Sequence, residues 1–359
     1  MASQPIQPTS TLFDIKELHF EVSTKCVLKC PRCPRTELKN DLHPSLNLDY
    51  TLDEFKAIFP AEVLQEINTI LFCGDKGDPI YAREFVEIVE YIKSTKPKLG
   101  VSIVTNGSYK DAEWWTRLGT ALNDHDRVTF SVDGYDNKTN NLYRVNSDWD
   151  SIILGVKTLS STKEFEQRCL IRWSSIKFAF NMLFQESIKT IATDAGADEI
   201  QFVTSTKFGS IDQRYLNDNG IDELDPNEYN SATNLQVYKK RTTGITGKRQ
   251  KGVNHVREIR TDSGAEQVWH LPGSCWQHCQ GTYKTQMPFI SGTGLLYPCA
   301  WFDSGYIKNS FVEKHRDRMN VRTRPILDII NDPMWEELST SWEIAPLEIC
   351  RLKCYKHAK

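Results

Sequence analysis

The chain has 359 residues, of which 39% are hydrophobic and 25% charged; these values fit a folded protein with a sizeable core and exclude wholesale disorder. Its 44 basic and 47 acidic residues give a net charge of −3, which excludes a general nucleic-acid-binding coat protein. No apolar run approaches the ~20 residues of a membrane-spanning helix, and residues 1–10 lack the basic and apolar segments of a secretory signal. We therefore expect a cytoplasmic protein without membrane contact.

Strands and helices are predicted to alternate from about residue 16 to residue 205. A capping box of Thr51 and Glu54 opens the first helix. Apolar alternation and buried runs predict strands at residues 17–23, 68–73, 100–105, 127–132, 175–180 and 199–204. Helical spacing predicts helices between them, among others at residues 82–93, 149–159 and 187–195. This order predicts an α/β fold, a partial (β/α)6 TIM-like barrel with its chemistry at the carboxyl ends of the strands.

Residues 206–270 are polar and weakly periodic. Between Lys239 and Arg260 lie eight basic residues and one acidic residue. We favour a solvated, mobile connector; the alternative is a contact surface for an acidic or phosphorylated partner. The predicted division is a core barrel at residues 1–205, a polar connector at 206–270 and a small cysteine-rich domain at 271–359.

The ten cysteines are unevenly distributed: three lie within one eight-residue stretch and five in the last quarter of the chain. Because the chain is long enough to fold without disulfides and has no secretory signal, such clusters indicate metal binding rather than disulfide pairing. Cys73 and Cys169 fall outside both clusters, and we expect them to be buried as small apolar residues.

A three-cysteine loop, residues 25–35, follows the first predicted strand. Cys26, Cys30 and Cys33 have the spacing C-x3-C-x2-C. Three thiolates can each hold one iron of a [4Fe–4S] cluster and leave the fourth iron open to an external ligand. Zinc is the alternative, but a zinc site usually pairs two cysteines with a distant second pair. The triplet at the end of a first barrel strand favours the cluster.

With this loop, the sequence resembles the radical S-adenosylmethionine (SAM) superfamily. The resemblance implies that Cys26, Cys30 and Cys33 hold the SAM-binding [4Fe–4S] cluster. The glycine-rich segment of residues 74–79, the SAM loop, stands where the family binds the amino group of SAM, with Asp78 where Glu is commoner. In many members an aromatic residue precedes the third cysteine, and here that residue is Arg32.

Further polar residues at the predicted strand ends fit the same resemblance. It implies that polar residues here contact the methionine and ribose of SAM or line the pocket. Taken singly, Gly-Asp-Pro and Asn-Gly are ordinary turns, and serine or aspartate often caps a helix. Their joint occurrence at four successive strand ends favours SAM binding. The implied cofactor-binding residues are Gly77, Asp78, Asn106, Ser131, Asp133 and Arg144, with Tyr143 and Asn181 as neighbours in the pocket.

The C-terminal cysteines resemble the twitch, or truncated SPASM, extension of radical SAM enzymes. A helix is predicted at residues 326–338, between the third and fourth of these cysteines. The resemblance implies an auxiliary [4Fe–4S] cluster. Cys275 or His278 remains an alternative for one ligand, and a structural zinc site is an alternative for the module. The implied ligands are Cys279, Cys299, Cys350 and Cys354.

The resemblance also implies a function. A reduced cluster would cleave SAM to a 5′-deoxyadenosyl radical that abstracts hydrogen from a substrate, with flavodoxin or ferredoxin as reductant. The auxiliary cluster would accept an electron or bind substrate at an open iron, and five nearby cysteines favour electron transfer. The expected reaction is modification or oxidation of a peptide or protein. Alternatives are dehydrogenation of a small sugar-like or nucleotide substrate, and a non-catalytic metal-binding scaffold.

Overall fold

A computed structural model of the chain describes residues 17–205, 207–209, 213–226, 257–259, 287–303, 309–344 and 347–350. Internal contacts divide the chain into two compact units. The first comprises Met1–Cys26, Leu38–Ser102 and Val268–Lys359, and the second comprises Val27–Glu37 and Ile103–Gln267. None of the helices in the described ranges is long and apolar enough to cross a membrane.

The predicted α/β alternation is confirmed. The strands are β1 (Glu17–Phe20), β2 (Thr69–Phe72), β3 (Gly100–Thr105), β4 (Arg127–Ser131), β5 (Leu170–Ile176), β6 (Glu199–Val203), β7 (Arg257–Ile259), β8 (Phe289–Ile290) and β9 (Leu296–Tyr297). The helices are α1 (Pro34–Glu37), α2 (Leu52–Ile58), α3 (Ala61–Glu66), α4 (Phe85–Thr95), α5 (Ala112–Ala121), α6 (Asn137–Asn140), α7 (Trp149–Ser161), α8 (Gln185–Ala195), α9 (Ser310–His315), α10 (Ile326–Ile330) and α11 (Met334–Ile344). The predicted capping box at Thr51 and Glu54 is present at the start of α2.

The first unit has the strand order β3-β2-β1-β8-β9, in which β3 is shared with the second unit. β1 runs parallel to β2, with Phe20 opposite Phe72, and parallel to β8, whereas β8 and β9 form an antiparallel hairpin. Phe20 packs edge-on against Phe55 and Phe72, with ring centroids 5.6 and 6.0 Å apart. These aromatic contacts pack β1 against β2 and α2 in the core of the first unit.

The second unit has the strand order β7-β6-β5-β4-β3. The pairs β4–β5, β5–β6 and β6–β7 are parallel, with Ser131 opposite Ser174 at the end of β4. Trp115 of α5 is buried against Phe130 of β4, their ring centroids 5.2 Å apart. Because the pairs are parallel, the residues that follow β4 and β5 emerge at one edge of this sheet.

The prediction of a strand at residues 175–180 was wrong. β5 occupies Leu170–Ile176, where alternate residues are buried, and the chain then turns. Asn181 holds the turn: its side chain accepts a hydrogen bond from the Phe178 amide at 2.9 Å and donates one to the Ile176 carbonyl at 2.7 Å. The apolar run after Ser175 therefore packs in a turn instead of extending the sheet.

The single helix predicted at residues 326–338 is divided into α10 and α11. The break lies at Asp332 and Pro333, since a proline disfavours helical geometry in the residue before it. Asp332 then begins the second helix, because its carboxylate accepts the Met334 amide at 2.9 Å and pairs with Arg318 and Arg324.

Candidate functional site

The three-cysteine loop, residues 25–35, begins shortly after β1 ends at Phe20. Cys30 is buried, whereas Cys26 and Cys33 are half-buried. The Cys33 amide donates to the Cys30 carbonyl at 3.1 Å, which turns the chain into α1. Burial raises the pKa of the Cys30 thiol to about 11, opposed by the positive charge of Arg144 and reinforced by nearby Cys33. A bound metal would therefore have to supply the charge that keeps this sulfur a thiolate.

The donor set of this loop fits an iron–sulfur cluster. Within the described ranges, no three His, Cys, Asp or Glu side chains are arranged to hold a single metal ion. A [4Fe–4S] cubane requires a different arrangement, since each of its cysteine thiolates binds a separate iron. The loop offers three thiols within eight residues, one of them buried beside an arginine, and this number and spacing suit such a cluster.

Arg144 lies between Cys30 of the three-cysteine loop and the end of β4. Its Nε donates a hydrogen bond to Asp133 Oδ2 at 2.6 Å, and its positive charge opposes the rise in the pKa of the Cys30 thiol. Asp133 is fully buried, and its second oxygen accepts the Ile176 amide at 2.7 Å. Since both carboxylate oxygens already have partners, the observed role of Asp133 is to orient Arg144.

The turn after β4 is held by a residue that the sequence analysis missed. The buried side chain of Asn140 accepts hydrogen bonds from the backbone amides of Asp133 and Gly134 at 2.9 and 3.1 Å. It also donates a hydrogen bond to the Ser147 hydroxyl at 2.9 Å. Asn181 donates to the Asp133 carbonyl at 2.7 Å. The only sequence signal near Asn140 is the capping pair that starts α6, which gives no hint of these contacts. Asp133 is therefore fixed by its backbone as well as by its side chain.

The SAM loop lies against the residues that follow β1. A Cβ atom at Gly77 would lie 2.1 Å from the Ser23 carbonyl oxygen, so only glycine fits there. The Asp78 amide donates to the Lys25 carbonyl at 2.9 Å. Asp78 is buried, and its Oδ1 accepts the Ile80 amide at 3.2 Å, capping a short 3₁₀ helix at Pro79–Tyr81. The sequence left open whether Asp78 stabilises a turn, and the structure shows that it does.

The remaining predicted contacts lie at the ends of β3 and β4. Asn106 is buried, and its Oδ1 accepts the Ser108 amide at 2.9 Å. Gly107 has a φ of +72°, and a Cβ there would meet the Phe130 ring at 2.6 Å, so both conformation and space require glycine. Ser131 is half-buried as the last residue of β4.

Arg32, the departure from the family pattern, is buried inside the second unit. It forms an ion pair with the buried Asp222, donates to the Lys207 carbonyl and lies over the Tyr215 ring, 4.6 Å from its centroid. Lys207 Nζ returns a hydrogen bond to the Arg32 carbonyl at 2.7 Å. In its described part, the predicted connector therefore packs against the three-cysteine loop through Lys207, Tyr215 and Asp222, whereas residues 217–221 are exposed.

The C-terminal cysteines are only partly described. Cys299 is half-buried just after β9, and Cys350 is buried. Cys275, Cys279 and Cys354 lie outside the described residues. Of the two cysteines outside the clusters, Cys169 is buried as predicted, whereas Cys73 is only half-buried.

Comparisons with known proteins agree with the fold. Residues 20–163 match the family model of the Radical SAM superfamily. The structure is similar to Streptococcus suis SuiB bound to S-adenosylmethionine, with a TM-score of 0.54 and 13% identity over 90% of this chain and 67% of SuiB. It is similar to SuiB bound to its precursor peptide SuiA, with a TM-score of 0.53 and 13% identity over 90% and 67% of the two chains.

A second similar protein is native anSMEcpe with bound AdoMet and a peptide, with a TM-score of 0.50 and 14% identity over 89% of this chain and 81% of that one. At these identities the likeness establishes the fold: a mostly parallel α/β sheet that forms an unclosed partial barrel, as predicted. No curated protein sequence matches the chain.

Proposed function

We propose that this chain is an enzyme that cleaves SAM reductively, with Cys26, Cys30 and Cys33 as the three protein ligands of a [4Fe–4S] cluster. The observation that carries the proposal is the three-cysteine loop at the end of β1, inside the matched Radical SAM domain. The positive charge of Arg144 near Cys30 supports it, since the neighbours of a metal-bound thiolate tune its basicity.

When bound, the cluster and SAM supply a one-electron cleavage that yields methionine and a 5′-deoxyadenosyl radical able to abstract hydrogen from a substrate. The role of the protein residues is to bind and orient SAM. Asp78 would accept a hydrogen bond from the SAM amino group through an oxygen of its buried carboxylate, next to the tightly packed Gly77. Asn106 and Ser131, at the ends of β3 and β4, would contact the methionine and ribose. Asp133 would hold Arg144 in place.

We further propose an auxiliary [4Fe–4S] cluster with Cys279, Cys299, Cys350 and Cys354 as its ligands. A cluster with four thiolate ligands has no iron free for substrate, so it would accept the electron left on the substrate after hydrogen abstraction. Flavodoxin or ferredoxin would supply the electron for SAM cleavage. With an electron acceptor in the same chain, the net reaction would be an oxidation.

The substrate class that we propose is a peptide or protein. Two similar structures, SuiB and anSMEcpe, were solved with peptides bound, and each covers about nine-tenths of this chain. This support comes from the fold.

Metal and sulfide analysis tests the proposal. Anaerobic purification and reconstitution should give about eight irons and about eight acid-labile sulfides per chain. Zinc without labile sulfide would instead favour a structural metal-binding protein.

A further inference from the structure

Glu21 is a buried carboxylate whose importance the sequence does not reveal. It lies just beyond β1 and is only 1% exposed. Its Oε1 accepts the amides of Lys76 and Gly77 at 2.6 and 3.2 Å, and its Oε2 accepts the Gly292 amide at 3.0 Å. One side chain therefore connects the SAM loop to the turn between β8 and β9.

Both connected segments press closely against the residues that follow β1. A Cβ at Gly77 would lie 2.1 Å from the Ser23 carbonyl oxygen, and a Cβ at Gly292 would lie 2.3 Å from the Thr24 side chain. Neither segment can shift towards this part of the chain without a clash. A displacement of one segment would therefore strain its hydrogen bond to Glu21.

A second connection runs beside the first. The Lys76 ammonium pairs with Asp303 and lies 3.4 Å from Asp75. Asp303 ends the 3₁₀ helix Ala300–Asp303, in which the Phe302 amide donates to the Cys299 carbonyl at 3.2 Å, and it also accepts the Tyr297 hydroxyl at 3.3 Å. The residue next to Gly77 is thus tied to the turn that carries Cys299.

A carboxylate suits this place better than a neutral side chain. Burial raises the pKa of Glu21 to about 7, with Lys76 opposing the rise, so the charged form is costly. The ionised carboxylate accepts on both oxygens at once, whereas a glutamine amide accepts on one side and presents N–H groups on the other. Only a carboxylate can satisfy the SAM loop and the β8–β9 turn together.

We propose that Glu21 is a positioning residue that couples SAM affinity to the β8–β9 hairpin. By fixing the amides of Lys76 and Gly77, it holds the backbone from which Asp78 reaches the SAM amino group. Binding of SAM at the loop then stabilises the hairpin that carries Cys299, and disorder of the hairpin weakens SAM binding. The inference rests on the proposed function.

The variant Glu21→Gln tests the role of the carboxylate in the full-length, anaerobically reconstituted protein. Equilibrium dialysis with SAM should give a dissociation constant raised about tenfold, as expected for the loss of a charge-assisted hydrogen bond. Iron content should be unchanged. At saturating SAM the rate of 5′-deoxyadenosine formation should stay within about twofold, because Glu21 does not touch the reacting atoms.

The control is Glu199→Gln, another buried carboxylate, which pairs with Arg172 within the second unit. Its SAM affinity should equal that of the wild type. If Glu21→Gln binds SAM normally, or loses rate with an unchanged KM, Glu21 serves folding only and the proposal is wrong.

Hydrogen exchange of the wild type tests the coupling even if the variant fails to fold. SAM should slow amide exchange in peptides from residues 74–78 and also in peptides from residues 287–297. Protection of the SAM loop without protection of the hairpin would overturn the coupling alone. Protection of neither segment would instead mean that SAM does not bind this loop, which would contradict the proposed function.

Discussion

Arg144 donates a hydrogen bond to Asp133 at 2.6 Å across 11 residues of sequence, and the positive charge of the same guanidinium favours the thiolate form of Cys30. The end of β4 thereby holds a cation beside a proposed cluster ligand. Because Asp133 is fully buried and also accepts the Ile176 amide, the guanidinium has little freedom to turn away. This arrangement makes the cluster sensitive to a residue that need not ligate it.

Replacing Arg144 should therefore change the reduction potential of the SAM-binding cluster. A positive charge near a ligand sulfur favours the reduced cluster. We expect Arg144→Gln to lower the midpoint potential by about 50 mV, roughly a tenfold change for one electron. A redox titration of SAM-free protein followed by EPR measures this. Arg172→Gln, which removes an arginine paired with Glu199, is the control, and an unchanged or higher potential in Arg144→Gln would refute the assignment.

Asp78→Ala should weaken SAM binding by about tenfold or more, because it removes the proposed charged partner of the amino group. The iron content should stay at the wild-type value. Asp75→Ala changes an acidic residue of the same loop that lies 3.4 Å from Lys76 and is more exposed, so its effect should be smaller. If Asp78→Ala loses iron, its capping of Pro79–Tyr81 is the essential role and the assignment to SAM is wrong.

Arg32→Ala should strongly destabilise the second unit. It would leave Asp222 buried without its cation, which typically lowers the free energy of unfolding by about 3–5 kcal/mol. Arg32→Lys should recover only part of this, since lysine lacks the planar fork that bonds Asp222 and Lys207 over the Tyr215 ring. Urea unfolding measures the difference. Lys189→Ala, at an exposed pair with Glu186, should cost less than about 1 kcal/mol, and an equal loss there would contradict the argument.

The fourth auxiliary ligand can be identified by single replacements. Cys279→Ala should remove the auxiliary cluster, about four irons per chain, whereas Cys275→Ala should leave it in place. Iron analysis and EPR distinguish the two variants. The reverse outcome would exchange the two assignments. If both variants keep the cluster, only three cysteines ligate it and one iron is open. Candidate substrates should then perturb the auxiliary EPR signal.

Local patterns predicted some elements well and others badly. Residues 100–105, a β-branched run between a glycine and an Asn-Gly turn, match β3 at both ends. β5 was misplaced because Arg172 and Ser174 interrupt its apolar pattern, although both lie on its less buried face. The cysteine triplet could be recognised as a candidate site because its three cysteines are close in sequence.

Glu21 could not be recognised in the same way. The backbone amides that its carboxylate binds lie 55, 56 and 271 residues away, and in the predicted strand at residues 17–23 it is one polar residue among alternating ones. Asn140 and the Arg32–Asp222 pair were missed for the same reason, since both depend on contacts that only the folded chain creates.

The most direct test of the central claim is 5′-deoxyadenosine formation by the reconstituted protein with SAM and a one-electron reductant. The wild type should form 5′-deoxyadenosine. With Cys26, Cys30 and Cys33 all changed to alanine, formation should stop while about four irons per chain remain in the auxiliary cluster. SAM cleavage that persists in the triple variant would contradict the assignment of the three-cysteine loop.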